Sequence, residues 1–77
     1  MNAERRKELA RIIERLAKQM DCIESVRDEE EEAFDNLPEQ LQYSERGEAM
    51  QENYEELDSI HSDLEDIIDR IQEIIDK

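Results

Sequence analysis

From Met50 onward the chain keeps one interval. Met50, Tyr54, Leu57, His61, Leu64, Ile68, Ile71 and Ile75 recur at alternating spacings of four and three. That is the a/d seam of a heptad repeat, and it predicts a single long helix over about 45–76. Beside the seam, Ile60, Ile67 and Ile74 recur every seventh residue. A two-stranded coiled coil needs two apolar positions in seven; a third asks for contacts on a second side, as in a helical bundle.

The first half repeats the pattern. Leu9, Ile13, Leu16, Met20 and Ile23 form a seam, with Ile12 and Val26 on its flank. Arg27 and Glu30 then take the next two seam positions before Phe34 and Leu37 resume it. The pattern predicts a helix over about 3–35, weakened or bent near 27–31. A connector over about 36–44 follows, since Pro38 disfavours a helical conformation at Leu37. Asn36 is expected to cap a short turn with Glu39 reaching back, and Ser44 to cap the second helix. Gly47, the only glycine, reads either as a flexible joint or as a point of close backbone approach.

Two long helices and a short connector make an all-α fold, an antiparallel hairpin forming one domain over 1–77. Folding the chain near residue 40 sets Leu9 opposite Ile71, Leu16 opposite Leu64 and Ile23 opposite Leu57. The wide stripe then predicts that Ile12, Val26, Ile60, Ile67 and Ile74 form an oligomer interface. Two hairpins pairing into a four-helix bundle is the expected assembly, a homodimer or a higher homo-oligomer. With 77 residues, 44% charged and no Trp, disorder shares the composition. The unbroken periodicity decides for helix.

Charge is unevenly placed. The formal net charge is -14. Residues 1–20 hold six bases against three acids, residues 21–58 hold fifteen acids against Arg27 and Arg46, and residues 59–77 hold six acids against two bases. The open end of the hairpin is largely neutral while the turn end keeps about -13. Such a balance opposes direct nucleic-acid binding, which needs clustered Lys and Arg. It points to a basic protein surface as partner, with Asp28, Glu29, Glu30, Glu31, Glu32, Asp35, Glu39, Glu45 and Glu48 as the docking residues. The bland alternative for the 28–32 block is a solvated helix face.

Other constellations are thin. Asp58 and His61, three apart on one helical face, are reminiscent of di-iron bundle ligands, yet only one such element occurs, and a core or interface histidine is the commoner role. No metal site or cofactor is assigned. Cys22 is the only cysteine, so no disulfide framework is expected, and it reads as a small apolar residue beside the seam in a reducing, cytoplasmic setting. Tyr43 and Tyr54 read as packing residues, Tyr43 with Phe34 as its neighbour. No Gly-rich phosphate cradle, nucleophile–base set or paired-Cys pattern is present, and the expected protein is not an enzyme. No apolar run reaches the ~18 residues of a membrane span, and no signal-peptide segment is expected.

The stretch LPEQLQYSERGEAMQENYEEL, residues 37–57, resembles small acidic proteins encoded in phages and mobile elements of Gram-positive bacteria. The resemblance covers about a third of the chain and carries no activity, fold or binding residue. It implies an accessory protein acting on a host or phage component. The function expected is a non-enzymatic acidic binding module, with imitation of duplex DNA as one form of it. A structural homo-oligomer is the alternative, and a metal-binding bundle comes third.

Overall fold

A computed structural model describes all 77 residues. Helix α1 spans Ala3–Asp35, a single turn of helix α2 spans Glu39–Gln42, and helix α3 spans Glu45–Asp76. α1 packs antiparallel along α3, and α2 packs against α3. The molecule is a rod of 58 × 15 × 12 Å with a radius of gyration of 17.4 Å. A compact chain of this length would have about 11–12 Å. No apolar side chain is fully buried, because a lone helix pair covers each seam residue from one side only.

The helix ends follow from local chemistry. Asn2 caps α1, its Oδ1 accepting the Arg5 N–H at 2.8 Å. Ser44 caps α3 as expected, its hydroxyl accepting the Gly47 N–H at 3.4 Å. Glu45 and Glu48 lie in that first turn, where negative charge offsets the positive end of the helix dipole. The expectation for Asn36 is corrected. It is the last residue associated with α1, its N–H donating to the Glu32 carbonyl at 3.0 Å. Pro38 instead opens α2, its carbonyl accepting from Leu41 at 2.8 Å.

Gly47 is the one buried residue. A Cβ built on it would lie 2.2 Å from the Gln42 carbonyl oxygen and 2.7 Å from that of Leu41. The connector therefore rests directly on the backbone of α3, and close approach is the reason for glycine here. Gln42 closes the corner from the other side. Its Nε2 donates to the carbonyls of Phe34 at 3.3 Å and Leu37 at 3.2 Å. One side chain thus bonds the Leu37 carbonyl and adds a second donor to the Phe34 carbonyl, which already accepts the Leu37 N–H at 3.0 Å.

The seam on α1 does not falter. Arg6, Leu9, Ile13, Leu16, Met20, Ile23, Arg27, Glu30, Phe34 and Leu37 are all half-buried, which is one uninterrupted alternation of three and four. α1 runs as continuous helix through 27–31. Arg27 and Glu30 occupy their places within the contact face, so the expected weakening there is corrected. Arginine and glutamate can do this because their aliphatic stems pack while the charged ends reach the edge of a thin rod.

The expected register is corrected as well. Glu24 faces His61, Arg27 faces Asp58, and Glu31 lies against Tyr54. Compared with a fold centred at residue 40, which would set Gln19 or Met20 against His61, α3 is displaced by about one helical turn. The first turn of α3 extends beyond α1 because it supports α2. The near-neutrality of the open end is one of regional charge only, since every contact ion pair involves Arg27 or His61.

Heptad geometry separates the two broad faces of the rod. The cross-helix polar contacts of Glu24, Glu31 and Asp58 lie on one. Ile12 and Val26 precede seam residues on α1, as Ile60, Ile67 and Ile74 do on α3, and in an antiparallel pair these flanks share the other face. All five are between 36 and 51% exposed.

Candidate functional site

The polar face carries a groove near the turn. Its floor is Phe34 from the last turn of α1 with Met50 and Tyr54 from α3, and Glu31, Asp35, Gln51 and Glu55 complete its lining. The volume is about 350 Å³. Phe34 and Met50 meet because the displaced register brings the end of α1 to the second turn of α3. The neighbouring Glu31 carboxylate, which favours the protonated phenol of Tyr54, raises that group above its usual range. Ionising the phenol beside a carboxylate would add charge where charge is already crowded.

Arg27 adjoins the groove and ties the helices together. Its Nη1 donates to Asp58 at 2.8 Å, while Nε and Nη2 donate to Asp28 at 3.2 and 3.1 Å. Glu24 lies 3.7 Å away, and the guanidinium sits 5.8 Å from the centre of the Tyr54 ring. The hydrogen bond to Asp28, supported by the charges of its neighbours, holds the Arg27 pKa above its ordinary value. Its side chain is only 16% exposed, whereas those of Asp28 and Asp58 are 60 and 57% exposed. Removing the arginine therefore returns two carboxylates to water and leaves no buried charge unpaired. Arg27→Leu, filling the seam with an apolar side chain, is expected to raise Tm by a few degrees with helicity unchanged in thermal circular dichroism. A fall would mean that the ion pairs outweigh packing at this position.

The chain matches no family model, no curated protein and no solved structure.

The nine acidic residues assigned to docking do not form one surface. Asp28, Glu31, Glu32 and Asp35 follow the spacing of a single helical face, and all four are exposed. Glu29 is exposed on a different side. Glu30 is half-buried in the seam, so its place in the docking set is corrected: five consecutive residues must wrap a helix, and one of them meets the partner helix. Glu39, Glu45 and Glu48 are exposed around the connector.

One aromatic and one aliphatic side chain change the character of this end. Tyr43 is 79% exposed and Leu41 is 43% exposed, so the expected packing of Tyr43 against Phe34 is corrected. α2 turns its polar Gln42 inward to cap α1, and Tyr43, which follows it, projects into solvent. The tip is thus acidic with an aromatic and an aliphatic side chain set within it. The only sequence signal for this was an aromatic in a connector too short to cover it.

The remaining candidates stay separate. Asp58 is engaged by Arg27, and His61 Nε2 faces Glu24 Oε2 at 3.8 Å, an ion pair only when the imidazole is protonated. No three His, Cys, Asp or Glu side chains converge as a set of metal ligands. Cys22 is exposed rather than packed beside the seam, two positions beyond the seam residue Met20 and turned to solvent. No helix is long and apolar enough to cross a membrane.

Proposed function

We propose that this chain is a non-enzymatic, acidic helical binding module that docks its turn end onto a basic surface of a partner protein. The observation that carries this reading is charge density. The fifteen acids and two bases of residues 21–58 occupy roughly the distal half of a rod 58 Å long. That is about one net negative charge per 2–3 Å, close to the ~1.7 Å per charge of duplex DNA. A narrow rod so charged suits a protein surface built to hold nucleic acid, so a nucleic-acid-binding protein is the class of partner it fits. The exposed Tyr43 and the apolar floor beneath Glu31 and Asp35 add contact area of the kind that carries binding energy. The resemblance of residues 37–57 to phage and mobile-element proteins gives such a module a setting, as an inhibitor or regulator.

Association of this kind is steered by charge and weakens with salt. Affinity purification at low ionic strength from the native host, followed by mass spectrometry, should recover a basic protein that elutes as salt is raised. Reversing Asp28, Glu31, Glu32 and Asp35 to lysine should lower its affinity at least a hundredfold, with helicity retained. Recovery of no basic partner, or binding indifferent to the reversal, overturns the proposal.

A second reading has its own observation. The exposed apolar face of Ile12, Val26, Ile60, Ile67 and Ile74 favours a homo-oligomer, in which acidity keeps the assembly soluble. As a purely structural role, this reading expects the same lysine reversals to leave function unchanged.

A further inference from the structure

The isolated rod exposes more surface than its mass should. Its accessible area is 6026 Å², whereas a compact monomer of 9.2 kDa would expose about 4,900 Å². The excess, about 1,100 Å², exceeds the ~800 Å² that each partner contributes to a standard stable interface. The apolar face lies where such an interface would form. Ile12 and Val26 are each seven residues from Gln19, and Ile60 and Ile74 are each seven from Ile67. Gln19 is also the midpoint of α1, Ala3–Asp35. The stripe is therefore symmetric about the middle of the rod, and two copies can superimpose their stripes in either of two two-fold arrangements.

Charge separates the two. With like ends together, α1 of one copy lies on α3 of the other, and the turn ends, each near -13 over residues 21–58, stand side by side. The outward neighbours of the stripe then set Arg15 near Arg70 and Glu29 near Glu56 of the second copy, with Glu8 near Lys77 as the single attractive pair. With opposite ends together, α1 lies on α1 and α3 on α3. Arg70 then approaches Asp63, and Lys77 approaches Glu56, each twice by symmetry. Only Glu8 and Glu29 oppose. The basic residues 1–20 of each copy lie toward the acidic half of the other. Both arrangements bury the same isoleucines, so electrostatics selects.

We propose that the occupant of the apolar face is a second copy of this chain, reversed end for end, with the two-fold axis through the Gln19 and Ile67 layer. The inference rests on the self-association reading and specifies its geometry. The product is a four-helix bundle with an acidic tip at each end, able to engage two basic surfaces.

The test uses the full chain with Cys22→Ser as background, so that the exposed native thiol is silent. Sedimentation at micromolar concentration should give about twice the 9.2 kDa chain mass. Ile67→Glu, at an already exposed position, should return the monomer while helicity by circular dichroism is kept. For orientation, Gln19→Cys alone should form a disulfide-linked dimer under mild oxidation, because facing positions come within the ~4.4–6.8 Å that a disulfide spans. With like ends together, Gln19→Cys would not link to itself but would link to Ile67→Cys in a mixture of the two variants. A monomer at micromolar concentration overturns the self-association reading itself. A dimer with only the mixed link overturns the reversed orientation, and a dimer with neither link overturns the assignment of this face.

Discussion

Gly47→Ala should destabilise the protein by about 2 kcal/mol, a fall in Tm of roughly 10 °C at fixed protein concentration. Helix propensity alone says the opposite, since alanine inside a helix is favoured over glycine by about 1 kcal/mol. Sterics decide between them. The new methyl would stand 2.2 Å from the Gln42 carbonyl oxygen, 2.6 Å from its carbon and 2.7 Å from the Leu41 carbonyl oxygen. All three are backbone atoms, so no side chain can rotate away, and α2 must lift from α3 as a unit. Lifting α2 also moves Gln42 off the end of α1. Thermal unfolding by circular dichroism tests this directly. A Tm that rises by several degrees would show that propensity governs and that α2 does not rest on Gly47.

Gln42→Glu attacks the same corner through charge. The native amide donates to the Phe34 and Leu37 carbonyls; a carboxylate has nothing to donate and faces two carbonyl oxygens. The expected cost near pH 7 is about 2 kcal/mol, moderated because the site is only half-buried. Gln42→Ala, which removes the bonds but lets water reach the carbonyls, should cost about half as much. The pH dependence separates the two variants. In the folded state the introduced side chain holds its proton more tightly than the ~4.3 of an unperturbed glutamate. Stability relative to the native protein is therefore recovered at low pH, where the acid can donate again, and lost as pH rises through the folded-state value. Chemical unfolding at pH 4 and pH 7 should show the penalty shrinking for Gln42→Glu and staying constant for Gln42→Ala. A constant penalty for both would mean that the side chain is not held against the end of α1.

Much of the fold is legible in residue types and spacings, because helix periodicity and capping are local. The span of α3 follows from its seam and from Ser44, and the five exposed flank residues are those that the seventh-residue spacing singles out. The candidate site is less legible. Charge counting marks the turn end as acidic but cannot say which carboxylates share a face, so Glu30 enters the docking set and then proves to be a seam residue. Arg27 reads as a defect in an apolar pattern. In the folded rod it is a half-buried link from Asp28 on its own helix to Asp58 and Tyr54, which only the partner helix could supply. The groove over Phe34, Met50 and Tyr54 depends on the register and could not be placed without it.

By itself the sequence determined the two long helices, their antiparallel return, the acidic end and the apolar flank, since each arises from neighbours along the chain. Tertiary structure alone decided the register, the contact at Gly47, the inward turn of Gln42 and the outward turn of Tyr43. The reason is that a heptad seam is nearly unchanged when one helix slides past the other by a repeat or half of one. Apolar spacing therefore cannot choose among such registers. The choice falls to features that do not repeat, a four-residue helix seated on one glycine and an arginine reaching one aspartate, and these exist only once the helices lie side by side.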